Sequence, residues 1–354
     1  MKILHVVGAR PNFPKLAPVY RAARAAGLDQ IVMHTGQHYD DAMSDSFFRD
    51  LGIRPPDVNL GVGSGTHGQQ TARLMERIEP ELVKHRPDWV VVYGDVNSTA
   101  AAALVAVKLG QRVAHVEAGV RSHDRSMPEE INRIVVDRLA DLLLTPSRTA
   151  DATLRAEGEP EEEIAFVGNV MVDALLYAVE RARVTGARNR VGVDHGRPAV
   201  VVTLHRPANV DNLTRLESIM RALREVAGDR PVLFPVHPRT RARLDAAGLD
   251  VGAVKLMAPV GYLEMLDLMD AAHAVITDSG GLQVESAALG VPCLTVRDTT
   301  EWPETITCGA NQLIYDPVGL PAAVASVHRL SQPPRPEGWD GMAAVRVVDC
   351  LRTR

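Results

Sequence analysis

The chain has 354 residues and is therefore longer than a typical protein with a single hydrophobic core. Its content of 46% hydrophobic and 23% charged residues is ordinary for a soluble two-domain protein. The net charge of -5 excludes a general attraction to nucleic acid or anionic membranes, so an anionic ligand must be held by local positive groups. The longest clean apolar run, residues 100–107, is too short to span a bilayer, and three cysteines without CxxC spacing indicate a cytoplasmic protein with free thiols.

In the first half of the chain, short apolar runs alternate with segments of helical periodicity. The predicted strands cover residues 3–7, 31–35, 89–93, 112–116 and 142–145. The predicted helices cover residues 14–26, 41–51, 69–85, 98–109 and 129–139. Since these strands are nearly continuous apolar runs, we expect a parallel sheet that is covered on both faces.

The same alternation returns in the second half. The predicted strands there cover residues 199–203, 232–236, 254–257, 274–277 and 291–296. The predicted helices cover residues 214–226, 239–246, 263–270 and 281–289. A second parallel sheet with helices on its faces follows from this order.

The element order therefore predicts an α/β protein with two doubly wound, Rossmann-like domains. The first domain is expected to span residues 1–184 and the second residues 185–336, with the polar segment 185–197 as the connection. The last part of the chain, residues 337–354, is expected to form an amphipathic helix that packs back on the first domain.

The clearest ligand signal lies at the end of the strand 274–277. Asp278 follows this strand, and Gly280 and Gly281 then open a helix. The first amides of a helix have no internal partner and favour anions, and glycines let the backbone touch a ligand. Glu285 lies one helical turn after Gly281, where it would meet a ribose next to a bound phosphate. The pattern predicts a nucleotide-diphosphate site.

Two glycine-containing turns in the first half are interpreted differently. Gly8 follows the first strand, and Arg10 and Lys15 flank the start of the next helix, which suits a diphosphate better than it suits a plain surface loop. The GxGxxG at residues 63–68 follows residues 55–60, which are poor strand material. A dinucleotide fingerprint must follow a strand directly, so we interpret this stretch as a loop and expect no NAD and no other cofactor.

Three carboxylates stand where predicted strands give way to helices, and hence on one edge of the first sheet. They are Asp95, Glu117 and Glu129. Taken singly, each could be a helix cap or a complement to the helix dipole. Taken together at a diphosphate site they are typical of an acid–base set, and Arg121 and Arg133 could keep the unused carboxylates ionised.

The second half adds a histidine and an arginine at the ends of two strands. His205 and Arg206 follow the first of these strands, and His237 and Arg239 follow the second. His205 with Arg206 fits the neutralisation of phosphate. The spacing of histidines and cysteines does not suggest a metal site.

Jointly these motifs resemble the non-hydrolysing UDP-N-acetylglucosamine 2-epimerases over nearly the whole chain. The matching segments are GARPNFPK (8–15), HTGQHY (34–39), HVEAG (115–119), MPEEINR (127–133), LHR (204–206), PVHP (235–238), TDSGGLQVE (277–285) and RDTTE (297–301). The resemblance implies the glycosyltransferase B fold, in which two Rossmann-like domains face each other across a cleft. It also implies a UDP-sugar substrate and a homodimer.

The resemblance carries residue roles onto this chain. It implies that Asp95, Glu117, Glu129 and His205 are catalytic. Motifs and resemblance together indicate these substrate-binding positions: Arg10, Lys15, Arg133, Arg206, His237, Val260, Met265, Ser279, Gly280, Gly281 and Glu285.

Several positions depart from the family pattern. Asn12 stands where the commonest bacterial form has Glu, and Trp302 stands where an Arg often follows the Thr-Thr-Glu run. Met265 replaces an aromatic residue near the uracil, and Val260 replaces a Gln. Residues 39–46 lack the pattern through which many bacterial members bind a second, activating substrate, which puts allosteric activation in doubt.

The expected reaction is C2 epimerisation of UDP-N-acetylglucosamine by elimination of UDP to 2-acetamidoglucal and re-addition. Because the glycal must be kept from water, domain closure on the nucleotide is expected. The alternatives are a 2-epimerase of a UDP-diacetamido-hexuronic acid, which residues 261–265 and 300–302 also resemble, and a hydrolysing epimerase. A UDP-sugar glycosyltransferase or a non-catalytic sensor would have no use for three carboxylates.

Overall fold

The computed structural model describes residues 1–36, 48–191 and 197–354. These residues form two compact units: unit 1 comprises residues 1–177 with 337–354, and unit 2 comprises residues 178–336. The predicted helix at 41–51 and the segment 39–46 lie largely outside the described residues, as does part of the expected connection at 185–197. None of the helices in the described ranges combines the length and apolar character needed to cross a membrane.

Unit 1 is built on a seven-stranded parallel sheet with the strand order β3-β2-β1-β4-β5-β6-β7. Its strands are β1 (Lys2–Val7), β2 (Asp29–His34), β3 (Val58–Asn59), β4 (Trp89–Tyr93), β5 (Val113–Val116), β6 (Leu142–Thr145) and β7 (Ile164–Phe166). Its helices are α1 (Phe13–Ala25), α2 (His67–His85), α3 (Asn97–Lys108), α4 (Pro128–Leu139) and α5 (Arg148–Glu157). The next helix, α6 (Val170–Arg183), contains the division between the units.

Local sequence explains why these elements form. All five residues of β4, WVVVY, are buried, as expected for a central strand covered on both faces. Helix α2 has Thr66 as its N-cap, whose side chain accepts a hydrogen bond from the Gln69 amide, and Arg86 as its C-cap in the left-handed conformation. Four alanines of α3 are buried between the sheet and its neighbours, which lets this helix pack closely.

Unit 2 contains a six-stranded parallel sheet with the strand order β10-β9-β8-β11-β12-β13. The strands are β8 (Val200–Thr203), β9 (Val232–Pro235), β10 (Lys255–Met257), β11 (Ala274–Thr277), β12 (Cys293–Thr295) and β13 (Asn311–Leu313). The helices are α7 (Ala187–Arg190), α8 (Pro207–Val210), α9 (Leu213–Asp229), α10 (Pro238–Ala246), α11 (Tyr262–Asp270), α12 (Gly280–Leu289), α13 (Pro303–Thr307) and α14 (Leu320–Ser326).

The C-terminal helix α15 (Ala343–Thr353) belongs to unit 1. The buried indole of Trp89 donates a hydrogen bond to the carbonyl of Leu351 (3.0 Å). Asp173 accepts from the Ala344 amide (2.8 Å) and so satisfies one of the free amides at the start of α15. The end of the chain is thereby tied to residues far away in the sequence.

The predicted fold class, two doubly wound α/β domains, is confirmed. The prediction that residues 55–60 contain no strand is wrong, because Val58 and Asn59 pair with the end of β2. Strand order reverses between β1 and β4 in unit 1 and between β8 and β11 in unit 2. Ligands of open α/β sheets bind at the carboxyl ends of the strands on either side of such a reversal.

Candidate active site

The turn after β1 is tied to the turn after β4 by Asn12. Its side-chain oxygen accepts from the amides of Gly8 and Ala9 (both 3.1 Å), and its amide group donates to the Tyr93 carbonyl (2.9 Å). Asn12 is fully buried, so this departure from the family pattern serves as a structural link across the strand reversal. The backbone of Arg10 lies in the same turn, and its side chain is outside the described part of the structure.

Lys15 forms a buried ion pair with Glu117. The Nζ atom lies 2.6 Å from Oε1, and both side chains are almost inaccessible to solvent. Gly94 makes room for this pair, because a Cβ atom at that position would lie 2.5 Å from the Lys15 Nζ. Sequence reasoning placed Lys15 on the nucleotide phosphates, whereas here its ammonium group contacts a predicted catalytic carboxylate.

Glu117 combines backbone strain with an unusual electrostatic environment. Its φ of 78° lies in the left-handed region, which is costly for a residue with a side chain and is common at functional sites. Burial raises the pKa of its carboxyl, Lys15 opposes this rise, and the nearby Asp95 charge adds to it. The buried Oε2 atom has no hydrogen-bond partner among the described residues. A carboxyl in this state is well placed to accept and return a proton.

Arg133 joins two further carboxylates on the same edge of the sheet. One guanidinium nitrogen lies 2.5 Å from Asp95 Oδ2, and another lies 2.6 Å from Glu130 Oε2. Glu130 also accepts from the backbone amides of Ser122 (2.9 Å) and His123 (2.8 Å). Burial alone would raise the pKa of Glu130, but these amides and Arg133 hold it below its usual range. Glu130 is thus a permanent anion that fixes the position of Arg133.

The neighbouring acids Glu129 and Glu130 have opposite environments. Glu130 is 1% exposed, whereas Glu129 lies on the solvent side of the first turn of α4. Sequence reasoning selected Glu129 and missed the structural role of Glu130. The i, i+3 spacing of Glu130 and Arg133 was the available signal for that ion pair.

His115 connects the turns that carry Asp95 and Glu117. Its Nδ1 lies 2.6 Å from Asp137 Oδ1, and its Nε2 lies 2.8 Å from the Gly94 carbonyl. Asp137 also accepts from the Gly119 amide (3.0 Å) and pairs with Arg121 (2.7 Å). The two ring nitrogens of the buried imidazole therefore link the Gly94 turn to Asp137. The sequence contained this histidine in its HVEAG motif, but spacing did not reveal its partner on α4.

In unit 2, Asp278 organises the turn after β8. Its carboxylate accepts from the backbone amides of His205 (3.1 Å) and Arg206 (3.0 Å) and from the side chain of Asn209 (3.0 Å). Burial would raise the pKa of Asp278, but His205, whose Nδ1 lies 3.0 Å away, and these donors hold it below its usual range. The His205 side chain is 54% exposed, so its remaining nitrogen is open to a ligand.

The start of α12 presents free amides beside a set of charged groups. Ser279 is the N-cap, and its amide donates to the Thr277 hydroxyl (3.0 Å). Arg206 donates to the Asp278 carbonyl (3.1 Å) and lies 3.3 Å from Glu301. Glu301 is also held by Arg297 at 2.6 and 2.9 Å. Gly280 and Gly281 contribute no side chains of their own at the helix start, which lets a ligand approach the backbone amides.

Glu285 lies one turn further along α12 and is buried. Burial raises the pKa of its carboxyl to about 7, and a hydrogen bond from Tyr262 partly opposes this rise. A buried carboxylate near an anion site can still accept from a pair of ligand hydroxyl groups.

The remaining predicted positions lie further along the same sheet edge. His237 is exposed and caps α10, where its Nδ1 accepts from the Arg239 amide (3.2 Å). Val260 and Met265 are half-buried around the start of α11, after β10. They are separated from Gly280 by the strands β8 and β9, as the strand order shows. Within the described ranges, acidic, histidine and cysteine side chains form no group of three that could hold a metal ion.

Two parallel doubly wound sheets, each with charged side chains at its strand reversal, are typical of nucleotide-binding α/β proteins. The family model described as UDP-N-acetylglucosamine 2-epimerase matches residues 21–352. The chain therefore belongs to the UDP-N-acetylglucosamine 2-epimerase family, and the family predicted from its motifs is confirmed.

Two curated relatives and one solved structure illustrate the similarity. The UDP-2,3-diacetamido-2,3-dideoxy-D-glucuronate 2-epimerase of Pseudomonas aeruginosa is 46% identical over 318 residues, which cover 89% of this chain and 88% of the relative. The UDP-N-acetylglucosamine 2-epimerase of Methanocaldococcus jannaschii is 44% identical over 327 residues, 89% of each chain. The crystal structure of the M. jannaschii enzyme with UDP-GlcNAc and UDP covers 100% of both chains at a TM-score of 0.91 and 41% identity.

Proposed function

We propose that this chain is a non-hydrolysing isomerase that interconverts UDP-N-acetylglucosamine and UDP-N-acetylmannosamine. The observation that carries the proposal is the pair of carboxylates at the strand reversal of unit 1, Asp95 and Glu117, each beside its own cation. Family membership supports a 2-epimerase, and the similar M. jannaschii enzyme was solved with UDP-GlcNAc and UDP.

The reaction explains why the site needs both carboxylates and an anion-binding helix. C2 of an N-acetylhexosamine has no adjacent ring carbonyl, so its proton is barely acidic. When the C1–O bond breaks, its electron pair leaves with UDP, and the oxocarbenium-like centre acidifies the C2 proton. A carboxylate removes this proton, and the C2–H electrons form the double bond of 2-acetamidoglucal. Protonation of the opposite face and re-addition of UDP give the epimer.

We assign proton transfer at C2 to the carboxylates of unit 1. Glu117, with its raised pKa and unpartnered Oε2, is the first choice, and Asp95 and Glu129 are the other candidates. In unit 2 the α12 amides with His205 and Arg206 would stabilise the departing diphosphate. Arg10 would add positive charge, whereas the charge of Lys15 is already paired with Glu117.

A second candidate substrate is UDP-2,3-diacetamido-2,3-dideoxy-D-glucuronate. The observation that favours it is the 46% identity to the Pseudomonas aeruginosa enzyme named for that sugar. Both substrates have a 2-acetamido group and a UDP leaving group, so the same chemistry serves either one. They differ at C3 and C6, and only a direct comparison of kcat/KM separates them.

Incubation with UDP-N-acetylglucosamine in heavy water tests the proposal. We expect one deuterium to be incorporated at C2 and the manno epimer to appear, and NMR detects both changes. A hydrolysing epimerase would instead release N-acetylmannosamine and UDP. A glycosyltransferase without acceptor, or a sensor, would leave C2 unlabelled, and that result with both candidate sugars would contradict the proposal.

Binding of the UDP-sugar is expected to strengthen as the pH rises from 6 to 8. The raised pKa of Glu285, about 7, means that its carboxyl is largely protonated at pH 6 and ionised at pH 8. We assign it to the ribose hydroxyls, which donate best to the ionised form, so the affinity should rise by about tenfold. Calorimetry with UDP-N-acetylglucosamine is suitable because both of its phosphates are esterified and do not titrate here. The Glu285→Gln variant should lose this pH dependence, and an unchanged slope would remove Glu285 from the ribose site.

The proposal also includes two features that rest on the sequence and the family resemblance. We propose a homodimer, as the resemblance implies, and action in the cytoplasm, which the free cysteines Cys293, Cys308 and Cys350 support.

A further inference from the structure

Trp302 is held rigidly beside the start of α12. Its side chain is 5% exposed. Its amide donates to the Thr300 hydroxyl (3.0 Å), and its carbonyl accepts from the amide (3.0 Å) and hydroxyl (2.7 Å) of Thr305. Thr300 in turn donates to Gln283 of α12 (2.5 Å). The backbone of Trp302 is therefore held on both sides, and its side chain is almost fully buried.

The N–H edge of this indole faces Gly280, the first residue of α12. A Cβ atom on Gly280 would lie 3.3 Å from Trp302 Nε1 and 3.7 Å from Cδ1. In the described part of the chain, this N–H has no hydrogen-bond acceptor, whereas the N–H of Trp89 donates to Leu351. Trp302 Nε1 is also not among the buried polar atoms that lack a partner, so the N–H is open to a ligand that enters from solvent.

The missing acceptor alone would not indicate a ligand. The indole of Trp339 is also buried and also lacks an acceptor among the described residues. What distinguishes Trp302 is its place, because its N–H edge adjoins the unpaired amides at the start of a ten-residue helix. The two donor sets border one space beside Gly280. The Glu301 carboxylate borders it too, because a Cβ atom on Gly280 would lie 3.6 Å from Glu301 Oε2.

The charges around this space favour neutral donors as the contacts to an anion. Arg206 and Arg297 both engage the carboxylate of Glu301, which offsets part of their positive charge. We propose that the indole N–H of Trp302 donates a hydrogen bond to a phosphate oxygen of the UDP-sugar bound at α12. This contact rests on the proposed function and adds a binding residue for the leaving diphosphate.

The indole N–H can be observed directly by NMR in protein carrying ¹⁵N-labelled tryptophan. The chain has three tryptophans, so three indole signals are expected, and their assignment follows from loss of a signal in Trp302→Phe or Trp302→Tyr. On saturation with UDP, the Trp302 proton signal should move downfield, as it does on forming a hydrogen bond to an anion. Trp89 should not respond, because its acceptor is already in place. Uridine, which lacks phosphates, should leave the Trp302 signal where it is.

Affinity provides the second readout. Trp302→Phe keeps an aromatic ring and removes the donor, so the Kd for UDP should rise about tenfold, the usual range for a hydrogen bond to a charged group. The matched control is Trp339→Phe, which removes an equally buried indole in unit 1 and should change the Kd by less than about twofold. Circular dichroism verifies folding of both variants.

Three results would overturn the contact: no movement of the Trp302 signal at saturating UDP, an equal movement with uridine, or unaltered UDP affinity in Trp302→Phe. These measurements involve no turnover and are therefore separate from the isotope experiment. If the Trp302 signal responds to UDP but no deuterium is exchanged, the proposed contact is supported and the epimerase assignment is contradicted. If deuterium is exchanged but the Trp302 signal does not respond to UDP, only the proposed contact is contradicted.

Discussion

Replacement of Glu117 by glutamine is expected to lower kcat for epimerisation by about 10² to 10⁴-fold while UDP binding is retained. Glutamine fills the same space but cannot take up a proton. The strained backbone at Glu117, its unpartnered Oε2 and its raised pKa all point to this side chain as the group that exchanges a proton with C2. The rate of deuterium incorporation and the Kd for UDP are the two quantities to measure.

The control for this variant is Glu159→Gln. Glu159 is another carboxylate of unit 1 with a largely buried side chain in an ion pair, here with Arg138 at 3.1 Å, and it lies away from the sheet edge that carries Glu117. Its amide variant should retain kcat within about twofold, since it lies outside the site and the pair is half-exposed. Full deuterium exchange by Glu117→Gln would show that Glu117 only supports Lys15, and proton transfer would then pass to Asp95.

The periodicity of the sequence predicted the central strands of both sheets well. Strand β4 was predicted with its observed bounds because five consecutive apolar residues flanked by turn residues leave few alternatives. Strand β3, with two residues, was missed because its pairing with β2 depends on the partner strand more than on its own sequence. Helix α5 escaped prediction because its apolar positions are few and its start depends on the Ser147 cap.

The location of the candidate site was predictable from the sequence, but the ion pairs within it were not. Residues at the ends of parallel strands must meet on one sheet edge, and this rule alone brings Asp95 and Glu117 together. The ion pair between Lys15 and Glu117 joins residues 102 positions apart, and only three-dimensional packing decides such a pairing. The choice between Glu129 and Glu130 likewise depended on which of two adjacent side chains turns inward at the start of α4.

Replacement of Asp137, which supports the turns that carry Asp95 and Glu117, is expected to have a large effect on stability. Asp137 is a fully buried carboxylate that pairs with the buried guanidinium of Arg121 and lies 2.6 Å from the buried ring of His115. Replacing it by asparagine keeps the shape and removes the charge, so His115 loses its charged acceptor and Arg121 keeps only Glu157 as an acidic partner. We expect the free energy of unfolding of unit 1 to fall by about 3–5 kcal/mol, the usual cost of breaking a buried pair. The Glu157→Gln variant is the control, because Glu157 pairs with the same Arg121 at a solvent-accessible position and should cost less than about 1 kcal/mol.

Hydrogen exchange of the β4 and β5 amides measures this loss in unit 1 separately from unit 2. The pH dependence supplies an independent check. Burial alone would raise the pKa of Asp137, but the charge of His115 and the donors around the carboxylate hold it below its usual range. A depressed carboxyl pKa contributes stability above the unfolded-state value of about 4 and loses it as the pH falls through the folded-state value. Wild-type unit 1 should therefore lose stability on acidification below about pH 4 more steeply than the Asp137→Asn variant. Equal acid sensitivity, or a loss no greater than that of Glu157→Gln, would mean that the charge of Asp137 does not stabilise unit 1.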